Sequence, residues 1–298
     1  CDLHPNFSRF CEKYGLGVVW HPKGMQLRQI LLNLLKNDLS QHAEEISTPV
    51  AAPQAFLGLD AQELEPFEFG GEEYRLRSSL LPQHLAFLRH ISFEREELPR
   101  RVSEMTSFFR YIPESQRWGL FYQSSYFGEQ TTICCLREQV VAELISSLHF
   151  IEQIITIFDF EAQWYLVASR QKLTKGRQES ESLNWLKRAI ETEHRLFLFS
   201  PEIQEEEGGE GARLELRIRD VMGREWPISR LGVVKPVENV HLVDQPNEKM
   251  VVLTRQVWES LDCFIALLIE HYEGKFPFWL APEQVRVMAI GKANQNYA

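Results

Sequence analysis

Cysteine is scarce in this chain, and Cys1, Cys11, Cys134, Cys135 and Cys263 are odd in number, with no CxxC spacing and no His at a zinc-like interval. A disulfide framework and a zinc-ribbon pattern are excluded, and the thiols read as buried small hydrophobes in a reducing intracellular compartment, cytoplasm or organelle matrix. Positive charge is short as well. Lys plus Arg number 32 against 42 Asp plus Glu, a net charge of -10, so there is no general attraction for phosphate backbones and an RNA partner would need a local basic surface. Long apolar runs are also missing. The strongest, Val140 to Ile157, is interrupted by Glu143, Ser146, Ser147, His149, Glu152 and Gln153, so no membrane span is expected where ~20 apolar residues are needed. Neither a repeat nor a low-complexity tract occurs. The chain opens on Cys1 without a signal pattern, and Cys1 reads as something other than the translation start.

What is present is 298 residues with 44% hydrophobic and 25% charged side chains, enough for one large domain or two modest ones. Leucines and isoleucines from Met25 to His42 recur at helical spacing, and the extended piece Ile46 to Val50 is stopped by Pro49. A strand at Glu73 to Arg77 and a helix from Gln83 to His90 follow. Three aromatic-rich strands are expected between Val102 and Leu136, at Ser107–Tyr111, Trp118–Gln123 and Thr131–Leu136. Helices are expected at Glu138–Ile157, Ser182–His194 and Gln256–Tyr272, and strands at Phe158–Ala168, Leu214–Arg219, Trp226–Val234, Met250–Leu253 and Gln284–Ile290. Lys172–Arg177 and Gln204–Gly209 read as solvated loops. Runs of strands between helices indicate an α+β fold.

The run Phe264 to Val287, through Glu270-His271-Tyr272-Glu273-Gly274-Lys275-Phe276-Pro277-Phe278-Trp279-Leu280-Ala281-Pro282, closely resembles the junction of catalytic and anticodon-binding domains in threonyl-tRNA synthetases. Val18 to Gly24, the helix after it and Thr48-Pro49 are similar to the first class II motif. Leu98 to Glu104 with Phe109-Arg110-Tyr111 and Pro113 resembles the second, and Asp220-Val221-Met222-Gly223-Arg224-Glu225-Trp226 matches the family's D-x-x-G-R-E-W entry. The resemblance implies a class II synthetase-like antiparallel sheet of six or seven strands flanked by helices, with residues 1–283 as catalytic-core domain and 284–298 as the start of an anticodon-binding-like domain. It also implies pairing, with itself or with another chain, through helix 25–42 and the piece to Pro49.

The family's chemistry rests on residues that differ here. Its three zinc ligands correspond to Leu81, Thr132 and Thr254, and an alkyl group with two neutral hydroxyls does not bind zinc as a thiolate and two imidazoles do. Arg110 stands where the second motif's arginine holds a phosphate. Its acidic companion is Ile112, and the loop arginines fall near Tyr122 and Ser124. In the third motif the ATP-contacting arginine is Cys263 and the glycine is Glu259, a carboxylate that opposes a triphosphate. The pocket's substrate-reading residues correspond to Gly128, Gln130 and Gly232. No metal or other cofactor is expected. The expectation is a pseudoenzyme, catalytically inactive and serving as a structural or regulatory subunit of a translation-related or organellar assembly. The alternatives are an adenylate-forming ligase with altered substrate and a non-catalytic RNA-binding module.

Arg110 reads either as an anion site or as an arginine paired with a nearby carboxylate. His84, His149, His194 and His271 read as surface or helix-packed side chains, and Arg75, Arg77, Arg100, Arg101, Lys172, Lys175 and Arg177 as solvated charges, with a nucleic-acid face as the other reading.

Overall fold

Leu27, Leu31, Leu35 and Leu39 recur every fourth residue, so one helical face is wholly apolar, and all four are buried along helix α1 (Pro22–Leu39). The computed structural model describes residues 7–53, 66–169, 181–193, 197–202, 212–234, 248, 250–288 and 290. The helix starts three residues before the expected Met25, because Pro22 suits the first turn, where no N–H is needed. Gly24 lets that turn sit on the chain below it: a Cβ there would lie 2.1 Å from the Phe10 carbonyl oxygen.

The strands are β1 (Cys11–Tyr14), β2 (Gly17–Trp20), β3 (Glu44–Glu45), β4 (Ala51–Pro53), β5 (Phe67–Phe69), β6 (Glu72–Leu76), β7 (Arg100–Phe109) and β8 (Ser125–Cys135). They continue with β9 (Ala162–Ser169), β10 (Phe197–Glu202), β11 (Arg213–Arg219), β12 (Glu225–Val234) and β13 (Val251–Gln256). The other helices are α2 (Leu81–Arg89), α3 (Val140–Ile155), α4 (Glu181–Thr192) and α5 (Leu261–His271). An eight-stranded sheet runs β10-β9-β11-β12-β13-β8-β7-β3. Its middle six strands are antiparallel, as the α+β reading requires, and β10 and β3 join the edges in parallel. Strands β4, β6 and β5 form a small second sheet, and β1 and β2 a hairpin.

Side-chain alternation gives the large sheet two faces. Ile133 and Cys135 of β8 enter the main core with α1, α3, α4 and α5, whereas Cys134 joins a smaller cluster with Leu88, Phe93 and Met250 on the α2 side. The two adjacent thiols thus point to opposite faces, as expected of a strand. All four described cysteines, Cys11, Cys134, Cys135 and Cys263, are buried free thiols.

Several expected elements differ. Trp118–Gln123 is not a strand: Gly119 takes a left-handed φ of 52°, the Trp118 N–H donates to the Tyr122 carbonyl, and Trp118, Phe121 and Trp226 gather as an aromatic knot. Ile46–Val50 is not a strand either: its ends take backbone bonds, from the Ile46 N–H to the Ser103 carbonyl and from the Arg77 N–H to the Val50 carbonyl, but its middle is held by side chains. The Thr48 N–H donates to Glu104 at 3.1 Å and Arg77 donates to the Thr48 carbonyl at 3.0 Å. The last helix begins at Leu261, since Val251–Gln256 pairs with β8 and β12 and the Ser260 hydroxyl accepts from the Cys263 N–H at 3.2 Å as the cap. Residues 284–288 carry no strand; their alternation finds no described partner strand. The loops Lys172–Arg177 and Gln204–Gly209 and His194 lie outside the described residues.

By length and composition, the stretch Arg137–Phe158 around α3 would suffice to cross a membrane, contrary to the sequence expectation. In the fold it is a core helix: Val140, Leu144, Leu148, Ile151 and Ile155 are buried, and Glu143 takes a forked ion pair from Arg101.

Candidate functional site

The register across the sheet brings the expected pocket positions into rows. Gly232 of β12 pairs with Thr254 of β13, Thr254 with Thr132 of β8, and Thr132 with Val102 of β7, all on the α2 face. Two residues along the same face, Gln130 pairs with Glu104, and two further on Gly128 pairs with Thr106. Leu81 opens α2 and packs into the cluster containing Cys134 and Val252, the next same-face residues beyond Thr132 and Thr254. Leu81, Thr132, Thr254 and Gly232 therefore gather in one row on the α2 face of the sheet.

That row is occupied by the protein's own bonds. His84, one turn into α2 and fully buried, places Nδ1 2.8 Å from the Thr132 hydroxyl and Nε2 3.6 Å from Glu104. Gln130 donates to the same Thr132 hydroxyl at 3.4 Å. Arg77, 1% exposed, donates to Glu104 at 2.9 Å and to the hydroxyls of Thr48 and Thr106 and the Ser107 carbonyl. Arg77 is thus a buried clamp and not the solvated charge expected of it. Burial pushes the Glu104 carboxyl up, but His84, the two bonds from Thr48 and the charge of Arg77 outweigh burial and hold it below the usual range. A thiolate and two imidazoles have no counterpart in this row, and the nearby imidazole is already engaged, so the residues present do not fit a zinc ion. Among the described residues no three His, Cys, Asp or Glu side chains group to hold a metal.

The other end of this face is built from β8, β11, β12 and the turn between β13 and α5. Arg110 donates through Nε to the Gln123 carbonyl at 3.2 Å, and its guanidinium lies 4.4 Å from the Tyr122 ring centre and 4.5 Å from that of Tyr126. Neither sequence reading anticipated this aromatic clamp, and no carboxylate pairs with Arg110 among the described residues. Ile112 is 1% exposed and lends its carbonyl to Arg117 at 3.0 Å, so an apolar plug replaces an acid. Cys263 is buried, and burial pushes its thiol far up, with Arg110 drawing it down and Glu259 pushing it further up. Glu259 pairs with Arg230 of β12 at 3.2 Å. Glu215, almost fully buried, collects Arg213 at 2.8 Å, Arg217 at 2.7 Å and Arg230 at 3.8 Å, and these arginines overcome the upward push of burial to keep its carboxyl low.

Gly128 shows how closely this end is packed. A Cβ on it would lie 2.4 Å from the Glu259 carbonyl oxygen, so the turn rests on bare strand backbone. On the opposite, helix-facing side two carboxyls sit deep in the core. Burial raises Glu129 to about 7 against the pull of Arg255, and raises Asp262 to about 6 against that of Arg28, 3.6 Å away. The remaining histidines are packing or surface groups: His149 meets Glu193 at 2.8 Å and His271 lies against Phe160. Sequence reasoning missed Glu104, Glu215 and Arg230. The one available signal for Glu104 was the alternation Val102, Glu104, Thr106, Phe108, a carboxylate on a strand face that is otherwise apolar or hydroxylic.

An antiparallel sheet faced by helices is a fold that this chain shares with solved class II aminoacyl-tRNA synthetase domains. The computed structure superposes on a crystal structure of the RNA binding domain of threonyl-tRNA synthetase from Cryptosporidium parvum with a TM-score of 0.88 and 19% identity, over 98% of this chain and 78% of that one. The prolyl-tRNA synthetase of Giardia lamblia in complex with prolyl-adenylate matches with a TM-score of 0.69 and 13% identity, over 93% and 54%. In sequence the chain is related to threonine–tRNA ligases. It is 28% identical over 300 residues to the chloroplastic/mitochondrial 2 enzyme of Arabidopsis thaliana and 26% identical over 308 residues to that of Cytophaga hutchinsonii. These alignments cover 95% and 97% of this chain but 46% and 48% of the relatives, so the chain spans about half the length of the curated proteins it matches. No family model matches the sequence.

Proposed function

We propose that this chain is a catalytically inactive, threonyl-tRNA synthetase-like protein that serves as a structural or regulatory subunit of a translation-related or organellar assembly. The observation that carries this reading is the row Gly232, Thr254, Thr132 with Leu81 above it. Metal and substrate ligands would have to stand there, and Thr132 is instead tied to His84 and Gln130. Losing a single group that acts on the transition state costs about 2.7–4 kcal/mol, and here several are replaced together. The relatives are named as ligases, and the proposed inactivity rests on this chain's own residues alone. In this reading α1 and the segment to Pro49 supply the pairing surface, residues 284–298 open an anticodon-binding-like module, and the compartment is the cytoplasm or an organelle matrix. Pyrophosphate exchange with ATP and threonine tests the reading: no exchange above background is expected, and turnover with threonine or any other amino acid overturns it.

A second reading draws on the name of the Cryptosporidium parvum neighbour, an RNA binding domain. RNA binding without chemistry would show as tRNA affinity that falls steeply with salt. A flat dependence of log affinity on log salt would remove it.

A further inference from the structure

Arg230 and Glu259 meet where the turn between β13 and α5 crosses the α2 face of the sheet. The turn is pinned from both sides: the Glu259 N–H donates to the Ile228 carbonyl at 2.8 Å, and the Ser229 hydroxyl to the Val257 carbonyl at 2.7 Å. The Glu259 side chain is 17% exposed; its Oε1 takes Arg230 at 3.2 Å, and its Oε2 is buried with no hydrogen-bond donor among the described residues. A carboxylate that is half satisfied in a shielded place carries a desolvation cost that only its arginine offsets. Arg110, whose charge together with that of Glu259 acts on the Cys263 thiol, lies 4.4 and 4.5 Å from the ring centres of Tyr122 and Tyr126 and donates through Nε to the Gln123 carbonyl. Of these two arginines, Arg230 is already engaged by anions that belong to the chain, Glu259 at 3.2 Å and Glu215 at 3.8 Å.

We propose that Glu259 is a built-in anion seated on Arg230, and that it excludes phosphate-bearing ligands from this arginine. This inference deepens the non-catalytic reading and rests on it. A carboxylate about 5 Å from an incoming phosphate repels it, so removing that charge raises affinity at least tenfold. Inorganic pyrophosphate, titrated calorimetrically without metal into the full chain, is the probe. The wild type is expected to show no binding at millimolar concentration. Glu259→Gln, which keeps the shape, and Glu259→Ala, which also vacates the space, are expected to bind at least tenfold tighter than the wild-type limit. Adding Arg230→Gln to Glu259→Ala removes the gain. Melting curves on each variant establish that the binding comparison is made on folded protein. Wild-type binding as tight as that of Glu259→Ala overturns the proposal, as does a gain below threefold in both variants or a gain that survives loss of Arg230. Threonine-dependent exchange by the wild type would strike the functional reading, and the pyrophosphate series would still decide the role of Glu259.

Discussion

Replacing Gly128 by Ala tests whether the turn before α5 rests on bare strand backbone. The added Cβ would sit 2.4 Å from the Glu259 carbonyl oxygen, 3.3 Å from its carbonyl carbon and 3.3 Å from the Phe108 ring, so main chain has to move. On one side β8 is held to β7 by the Gly128–Thr106 register; on the other the turn is held by Ile228, Ser229 and the bond from Val257 to Glu129. Overpacking of this kind costs about 1–3 kcal/mol, and breaking the Glu259–Ile228 bond adds about 1 kcal/mol. Stiffening of the unfolded chain returns about 0.4–1 kcal/mol. The net expectation is a loss of about 1–3 kcal/mol, read as a lower urea midpoint at unchanged slope and a melting temperature lower by roughly 2–10 °C. A variant within about 0.5 kcal/mol of wild type would mean that the turn yields freely and is not held against the strand in this way.

Arg77→Met strips Glu104 of its cation inside the fold and should cost about 3–5 kcal/mol in urea unfolding, whereas a cost below about 1 kcal/mol would show the clamp to be incidental. Glu129 and Asp262 have folded pKa values raised to about 7 and about 6, so between pH 4.5 and 7 the folded state binds more protons than the unfolded one and stability falls as pH rises. Glu129→Gln should flatten that fall, which urea midpoints at pH 5 and 8 will show; an unchanged slope refutes the assignment. Thr132→His combined with Thr254→His places two imidazoles on paired strands beside His84, so the double variant should bind nickel or zinc in calorimetry. A folded double variant that binds neither would mean that these two side chains do not converge.

The elements that were legible in the sequence are those whose pattern is local. The leucine stripe of α1 and the alternation of β11 and β12 need only their own residues to be read. Trp118–Gln123 misled because aromatic density resembles a strand, while the deciding feature is the left-handed Gly119. The α5 start is hard to read because apolar residues recur at Leu253, Val257, Trp258, Leu261 and Phe264 across the strand–helix junction, and the Ser260 cap is what divides them. Arg77 was misread for a different reason: its partners Thr48, Glu104, Thr106 and Ser107 are remote in sequence and meet it only through the sheet. Family resemblance located Thr132, Thr254 and Gly232, and the register then placed them side by side. It gave no sign that Glu259 would find Arg230, since that pair joins a turn to a strand about thirty residues away.

The two faces of β8 show why single substitutions in the proposed pocket row should not act independently. Toward the helices, Glu129, Thr131 and Ile133 are locked in the core with Arg255, whose guanidinium lies 4.0 Å from the Phe150 ring centre. Toward α2, Gly128 touches the turn, Gln130 bonds Thr132, and Thr132 bonds His84, which in turn faces Glu104 and its clamp Arg77. A change at Thr132 therefore leaves His84 and Gln130 without their hydroxyl, and a change at Glu259 leaves Arg230 with one carboxylate fewer. Each such orphaned buried group costs about 1–3 kcal/mol, and groups in one network do not add independently. Against a total stability of about 5–15 kcal/mol, a substituted ligand set is affordable only if the partners change with it. This face of the sheet is therefore a coupled structural unit, in which no buried polar residue changes alone.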